Sequence, residues 1–303
     1  MNAAVDTVLT DRTKFLGSSD AAAILGLSPW RTALEVYEDK ITPRSLEPDR
    51  NKERIFARGK RLEPVVCEML AAEEGLEIAR RNHRYQDPEF PFLAAEIDAE
   101  TADGVNVEIK TVSPFLAKEW GEEQSDQIPL HYCVQVLHAL MVTRRERAIV
   151  AALIGADDLR IYRVERDDEL IARMRSEELN FWDRIQRRDP PPITTLADAT
   201  LRWPSSVTRT IVADAELAEK IETLRQIKAQ LKELEMTAET LELAAKGRMG
   251  DADTLLSPDG YKLCTWKSQT ANRLDSKALE AAHPDIVAQF KRASSYRVFR
   301  LSK

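Results

Sequence analysis

Two short segments of the chain carry the residues best suited to chemistry, and both read as β-strands. Asp98 ends a largely apolar run, 92–97, and Glu108 and Lys110 follow after a turn at 102–104. Side chains alternate between the two faces of a strand, so Glu108 and Lys110 share a face. If the two segments pair, two carboxylates lie beside one lysine, which suits a hard cation and an activated water.

A divalent metal is the cofactor that this trio suggests. A carboxylate from each segment could bind Mg²⁺, which prefers oxygen ligands, and we expect Mn²⁺ to substitute. The backbone carbonyl of Ile109, between the two functional side chains, is a further candidate ligand. Lys110 could orient the water and offset developing negative charge. The competing interpretation is an exposed strand with a Glu–Lys ion pair worth under about 1 kcal/mol.

Three other motifs add polar groups of the same kind. Glu63, in Arg-Gly-Lys-Arg-Leu-Glu-Pro, could supply a third carboxylate, directly or through water. Gly-Ser-Ser-Asp at 17–20 and Ser-Pro-Trp-Arg-Thr at 28–32 offer hydroxyls, helix N-terminal amides and an arginine, which suit a terminal phosphate. Tyr132 and Gln135 share one helix face. Each also has an ordinary interpretation: a surface glutamate, a helix N-cap with a structural tryptophan, and the edge of a core.

Composition excludes several classes of protein. The 303 residues, 43% of them hydrophobic, suffice for one large domain or two ordinary ones. The net charge of −7 rules out a globally basic nucleic-acid binder, although basic clusters occur at 50–61, 80–84 and 144–147. Three widely spaced cysteines predict a reducing cytosol and exclude a four-cysteine metal site. The sequence has no apolar run long enough for a membrane helix, and Met1 to Leu16 lack the apolar core of a signal peptide. We therefore expect a cytoplasmic protein.

Periodicity predicts an α/β chain in two parts. Helices are expected over 21–25, 32–40, 52–74, 129–142 and 169–187, and strands beyond the Asp98–Lys110 hairpin over 148–154 and 159–164. Consecutive prolines then precede a predicted linker at 196–212. The linker separates a first domain, 1–195, from a C-terminal part, 213–303.

The C-terminal part is dominated by a long amphipathic helix. Apolar residues recur at spacings of three and four over 217–245, a coiled-coil-like pattern that Lys228 interrupts. A hairpin around the turn 257–260, a helix over 276–282 and a strand over 296–301 complete a small α+β unit. The helix either pairs between subunits or docks a partner, or it packs back on its own chain against the hairpin.

The order of the motifs is more specific than any one of them. Gly-Ser-Ser-Asp, Ser-Pro-Trp-Arg-Thr, Arg-Gly-x-x-Leu-Glu-Pro, Ile-Asp, Glu-Ile-Lys and Tyr-x-x-Gln follow one another between Lys14 and Arg188. This order resembles the YqaJ family of viral recombinases, the lambda-exonuclease-like branch of the PD-(D/E)XK nucleases. Ile97 stands where the superfamily name has proline, a usual variation in this branch.

The resemblance implies a fold, an activity and a set of roles. The fold is a central mixed sheet flanked by helices, and the activity is Mg²⁺-dependent 5′-to-3′ exonuclease action on duplex DNA, which yields 5′-mononucleotides and 3′ single-stranded overhangs. By motif match, Asp98 and Glu108 resemble the metal carboxylates and Lys110 the catalytic lysine. Glu63 resembles the helix-borne glutamate, and Gln135 and Tyr132 resemble the supporting pair beside the metals. Arg31, with Ser18 or Ser19, resembles the clamp on the 5′-phosphate.

The resemblance also implies partners. Family members form rings around DNA, for which a trimer is one arrangement, and work with a single-strand annealing protein in phage-type recombination in the bacterial cytosol. Two alternatives stay open: a structure-specific or restriction-like endonuclease on the same fold, and an inactive DNA-binding assembly protein. The intact Asp98, Glu108 and Lys110 argue against the inactive protein.

Overall fold

A computed structural model describes residues 11–42 and 50–302 of the chain. The chain divides into two compact units, the first ending at Arg202 and the second beginning at Trp203. None of the helices in these described ranges is both long and apolar enough to cross a lipid bilayer.

A six-stranded mixed sheet forms the centre of the first unit, as the sequence predicts. The strands are β1 (Leu16–Gly17), β2 (Ile78–Gln86), β3 (Leu93–Thr101), β4 (Asn106–Val112), β5 (Arg147–Ile154) and β6 (Asp158–Glu165). The order is β1-β3-β4-β5-β6, with β2 also paired to β3. The β4–β5 and β1–β3 pairs are parallel, and the other pairs are antiparallel.

Helices cover both faces of this sheet. They are α1 (Ser18–Ile24), α2 (Ala33–Ile41), α3 (Arg50–Glu74), α4 (Leu130–Thr143), α5 (Asp168–Arg187) and α6 (Leu196–Arg202). Val66 and Leu70 of α3 pack on one face, and α1, α2, α4 and α5 pack on the other. Because both faces are covered, β5 reads as an unbroken apolar run, as expected for a central strand with a parallel neighbour.

Two parts of the first unit differ from the sequence-based prediction. The predicted linker begins with a helix, α6, whose buried Asp198 accepts a hydrogen bond from the Thr32 hydroxyl at 2.6 Å. Local sequence patterns cannot predict this bond, because Thr32 and Asp198 are far apart in the chain. The strand β2 was not predicted, because charged residues such as Arg80 and Arg81 obscure its alternation.

The second unit is built on one long helix. It contains α7 (Ala215–Met249), the hairpin strands β7 (Thr254–Leu256) and β8 (Lys262–Thr265), α8 (Ser276–Ala282) and α9 (Pro284–Phe290). The predicted strand at 296–301 is wrong, since those residues pair with neither strand of the hairpin. The hairpin reaches only the end of α7, where Cys264 lies 3.8 Å from Met249.

Candidate active site

The candidate site lies at an opening along one edge of β3. β2 pairs along the opposite edge, whereas β1 and β4 share this one: β1 pairs at Leu93 and Ala94, and β4 pairs at Ala99 and Glu100. Among the described residues, the stretch 95–98 between them has no strand partner on this edge. The two flanking strands therefore leave a gap, and Asp98 lies at the β4 end of it.

Asp98 sits at a break in the regular alternation of β3. Ile97 packs in the core on the α4 side of the sheet, whereas Ala99 packs on the α3 side, although residues two apart on a regular strand share a face. At the break, the Asp98 carboxylate accepts a hydrogen bond from the backbone N–H of Ile109 at 2.8 Å. This bond holds the Asp98 carboxylate against β4, because Ile109 lies between Glu108 and Lys110 in the chain.

Glu108 and Lys110 project toward α4, which positions both side chains. The Gln135 amide of α4 donates to Glu108 at 2.6 Å and accepts from the Lys110 ammonium at 3.1 Å. Lys110 also binds Glu108 directly. Glu108 is buried, so the alternative of an exposed surface ion pair is wrong.

Tyr132 completes the α4 side of the site with its ring. The Lys110 ammonium lies 4.9 Å from the centroid of that ring, a cation–π distance. The centroids of the Trp30 and Tyr132 rings lie 5.9 Å apart. Because Arg31 follows Trp30 in the chain, this aromatic contact links the predicted phosphate clamp to the lysine.

Glu63 approaches from α3, on the opposite face of the sheet. Its side chain belongs to the stripe of α3 that includes Val66 and faces the sheet. Burial and the charge of Asp98 raise the pKa of Glu63, and the Lys60 ammonium, 2.8 Å away, opposes that rise. Lys60 also donates to Asn82 of β2 at 2.8 Å. Sequence reasoning did not assign Lys60 to the site, although its i,i+3 spacing from Glu63 was the available signal.

The charges at the site perturb one another. Burial, followed by the charge of Glu108, raises the pKa of Asp98 to about 7. Burial alone would lower the pKa of Lys110, but the carboxylates of Glu108 and Asp98 outweigh it and raise that pKa. Lys110 is therefore an ammonium at neutral pH, and two carboxylates in a confined space repel each other.

This donor set fits a hard divalent ion. A cation between Asp98 and Glu108 would relieve their repulsion, and Mg²⁺ commonly uses one or two protein carboxylates with water and substrate phosphate completing its shell. The described residues contain no group of three or more His, Cys, Asp or Glu side chains at metal-binding spacing. Glu63 thus lies near the pair but does not form a ready three-carboxylate cage with it.

Ser18 and Ser19 begin α1 directly after β1, at the other end of the gap in β3. Gly17 pairs with Ala94, and Asp98 lies four residues further along β3, about 13 Å at strand spacing. The buried Ser18 hydroxyl has no hydrogen-bond partner among the described residues. Ser19 accepts from the Arg12 guanidinium at 3.0 Å, so Arg12 is a neighbour that the motif analysis missed.

Arg31 is held by two carboxylates behind these serines. Its guanidinium donates to Asp20 at 3.2 Å and to Asp39 at 2.6 Å. Asp20 is buried and also accepts from Lys40 at 2.8 Å and from the Gly17 N–H at 3.1 Å. Burial alone would raise the pKa of Asp20, but the Lys40 ammonium, the Arg12 guanidinium and the Gly17 N–H together outweigh it and hold that pKa below its usual value.

Comparison with known proteins places these residues within a shared region. Residues 9–146, which include every predicted site residue, match a family described as the YqaJ-like viral recombinase domain. The uncharacterized protein YqaJ of Bacillus subtilis (strain 168) is 32% identical over 307 residues, covering 98% of this chain and 94% of that protein.

Solved structures show similarity over part of the chain. An alkaline exonuclease (LHK-Exo) from Laribacter hongkongensis has 19% identity and a TM-score of 0.48, covering 59% of this chain and 91% of that one. A phage-related exonuclease from Haemophilus somnus 129PT has 15% identity and a TM-score of 0.40, covering 57% of this chain and 96% of that one.

Proposed function

The chain belongs to the YqaJ-like viral recombinase family, and from this premise we propose that it is a metal-dependent nuclease that degrades one strand of duplex DNA from the 5′ end. The observation that carries the proposal is the convergence of Asp98, Glu108 and Lys110 at the gap in β3. Two carboxylates that can hold a metal ion and an ammonium that can offset developing negative charge suit the hydrolysis of a phosphodiester.

Asp98 and Glu108 are the residues that would hold the metal, Mg²⁺ by preference and Mn²⁺ as a substitute. Glu63 would contribute directly or through a water, and the carbonyl of Ile109 is a further oxygen donor. A bound ion of this kind polarises a phosphate oxygen and lowers the pKa of a coordinated water. The raised pKa of Asp98 supports this assignment, because burial and the charge of Glu108 both disfavour the free carboxylate and a bound cation would stabilise it.

Lys110 supplies the positive charge that the reaction needs at neutral pH. Its ammonium would orient the attacking water and offset the negative charge that develops on the phosphate. Gln135 holds Lys110 and Glu108 at once and so acts as a positioning residue. Tyr132 confines the ammonium with its ring face.

Basic residues on the α3 side of the sheet give DNA an approach despite the net charge of −7. The exposed members on α3 and β2 are Arg54, Arg58, Lys60, Arg61 and Arg81. Cations on neighbouring elements can bind successive phosphates while the rest of the surface stays acidic. Exposed Phe56 adds an aromatic ring to the same stretch of α3.

The 5′ preference rests on the residues at the other end of the gap. Ser18, with its unsatisfied hydroxyl, Ser19 and Arg31 would hold the terminal phosphate. A phosphate there would compete with Asp20 and Asp39 for the Arg31 guanidinium. A clamp for a terminal phosphate near the cleaving groups makes the enzyme start at DNA ends, release 5′-mononucleotides and leave a 3′ overhang. An annealing partner, a ring assembly and a cytosolic location stay predictions.

The test is digestion of end-labelled linear duplexes with Mg²⁺, one carrying 5′-phosphate and one carrying 5′-hydroxyl. We expect faster release of 5′-mononucleotides from the phosphorylated duplex and no cleavage of covalently closed circular DNA. Arg31→Gln should abolish the preference while leaving slow digestion. Cleavage of the circle would favour the endonuclease alternative, and no digestion with either Mg²⁺ or Mn²⁺ would favour an inactive assembly protein.

A further inference from the structure

The second unit buries almost nothing of its own. Met249 is the only buried residue in the described range 203–302. The apolar side chains along the middle of α7 are exposed, with Leu231 at 52%, Leu234 at 65% and Leu241 at 67%. In the described range, the hairpin strand β8 contacts the last turn of the helix through Cys264 and Met249. A 35-residue helix must bury apolar surface to offset the conformational entropy that it loses on folding. We therefore expect another protein surface to cover this apolar face.

The apolar positions of α7 have a symmetric spacing. From Leu224 onward the apolar residues follow one another at steps of three and four, as in a heptad seam: Leu224, Ile227, Leu231, Leu234, Ala238 and Leu241. The sequence of steps is the same when read from either end. A two-fold axis between Lys232 and Glu233 therefore places Leu231 opposite Leu234 of a second copy, and Leu224 opposite Leu241 of that copy.

The charges along α7 favour the same antiparallel arrangement. The segment 225–232 carries three basic residues and no acidic ones, whereas 233–242 carries four acidic residues and no basic ones. The same two-fold axis lays the basic segment of one helix along the acidic segment of the other. A parallel pair in register would instead lay like charges side by side.

Individual ion pairs fit this register. Lys228 and Glu235 flank the seam at equivalent heptad positions, which face each other across an antiparallel pair. Among the described residues neither of them forms an ion pair, whereas Glu216, Glu222 and Glu242 each bind a basic residue on their own helix. Lys228 and Glu235 therefore lie where each could form an ion pair with the other residue of a second copy.

From these observations we propose that α7 pairs with α7 of a second copy of this chain in an antiparallel two-fold coiled coil centred between Lys232 and Glu233. The pairing covers the exposed seam and satisfies Lys228 and Glu235 twice by symmetry. It is independent of the nuclease centre and holds whether or not the first unit cleaves DNA.

Sedimentation equilibrium of the full chain tests the pairing. We expect a mass of a multiple of twice 34.3 kDa for the natural chain, and half that mass for Leu231→Glu/Leu234→Glu, whose sites are already exposed in the single chain. Circular dichroism should retain the signal of the first unit in both chains, since only α7 is expected to lose helicity when it is unpaired. A monomeric natural chain, as expected if another protein covers the helix, or a mass that the substitutions leave unchanged, would overturn the proposal.

Charge exchange and cross-linking test the register and the direction. Lys228→Glu or Glu235→Lys alone should raise the dissociation constant roughly fivefold, and the double exchange should restore it. In a Cys264→Ser background, a mixture of Leu224→Cys and Leu241→Cys chains should oxidise to mixed disulfide dimers, whereas either chain alone should not. Cross-linking of either chain to itself would contradict the antiparallel direction.

Discussion

Asp20 stabilises the region that carries Ser18, Ser19 and Arg31, and its loss should be costly. Its carboxylate is 1% exposed and binds Lys40, whose side chain is 3% exposed. Burial lowers the pKa of Lys40 even with Asp20 present, so the ammonium depends on that carboxylate to remain charged. Asp20→Asn removes the charge with little change in shape. Because breaking one side of a buried ion pair costs about 3–5 kcal/mol, we expect a loss of about 3 kcal/mol.

Urea unfolding of the full chain at pH 7, followed by tryptophan fluorescence, measures this loss. With a slope of roughly 2 kcal/mol per molar urea, the midpoint of the first unit should fall by about 1.5 M. Asp39→Asn is the matched control, since Asp39 binds the same Arg31 but is 49% exposed. The control should lose under about 1 kcal/mol. Equal losses in the two variants would refute the reasoning.

The pH dependence of the same comparison has a defined sign. The pKa of Asp20 is lowered in the folded state, so its stabilisation is complete above the unfolded value of roughly 3.9 and disappears as the pH falls through the folded value. The difference in free energy of unfolding between the natural chain and Asp20→Asn should persist at pH 7 and shrink as the pH falls below roughly 3.9. A difference that grows with acid would contradict the assignment.

Two further predictions concern α4. Gln135→Leu removes a side chain that binds both Glu108 and Lys110, so kcat should fall roughly 10- to 100-fold with little change in the urea midpoint; an unchanged kcat would argue against a positioning role. His138 is buried, which alone would lower its pKa, but the Glu178 carboxylate, the Ala94 carbonyl and the charge of Asp20 together outweigh burial and raise that pKa. Its stabilisation is therefore complete below about pH 6.5 and is lost as the pH rises through the folded pKa. The stability deficit of His138→Gln should be largest below about pH 6.5 and shrink as the pH rises above it, and a deficit that increases with pH would contradict this.

The sequence predicts those features that depend on short-range periodicity. The shared face of Glu108 and Lys110 follows from strand alternation, and the spacing of Tyr132 and Gln135 puts both on the side of α4 that faces the site. The mixed sheet and its flanking helices follow from the order of elements and from the family resemblance.

Other features depend on contacts between distant residues and leave no local pattern. The break in alternation at Asp98 arises because its carboxylate, rather than a main-chain carbonyl, receives the Ile109 N–H. The Asp20–Lys40 pair joins residues on two helices, and no spacing rule connects them. The strand β2 is not predicted, because its arginines interrupt the alternation of apolar and polar residues. Its pairing with β3 identifies it as a strand.

The central claim is that Asp98, Glu108 and Lys110 form a nuclease centre, and one comparison tests it most directly. Initial rates of Mg²⁺-dependent nucleotide release from a 5′-labelled duplex are measured for the natural chain, Lys110→Ala and the exposed-site control Lys118→Ala, with unfolding curves to verify folding. We predict a loss of at least about a hundredfold for Lys110→Ala and none for Lys118→Ala. A folded Lys110→Ala chain that digests DNA at the natural rate would contradict the account.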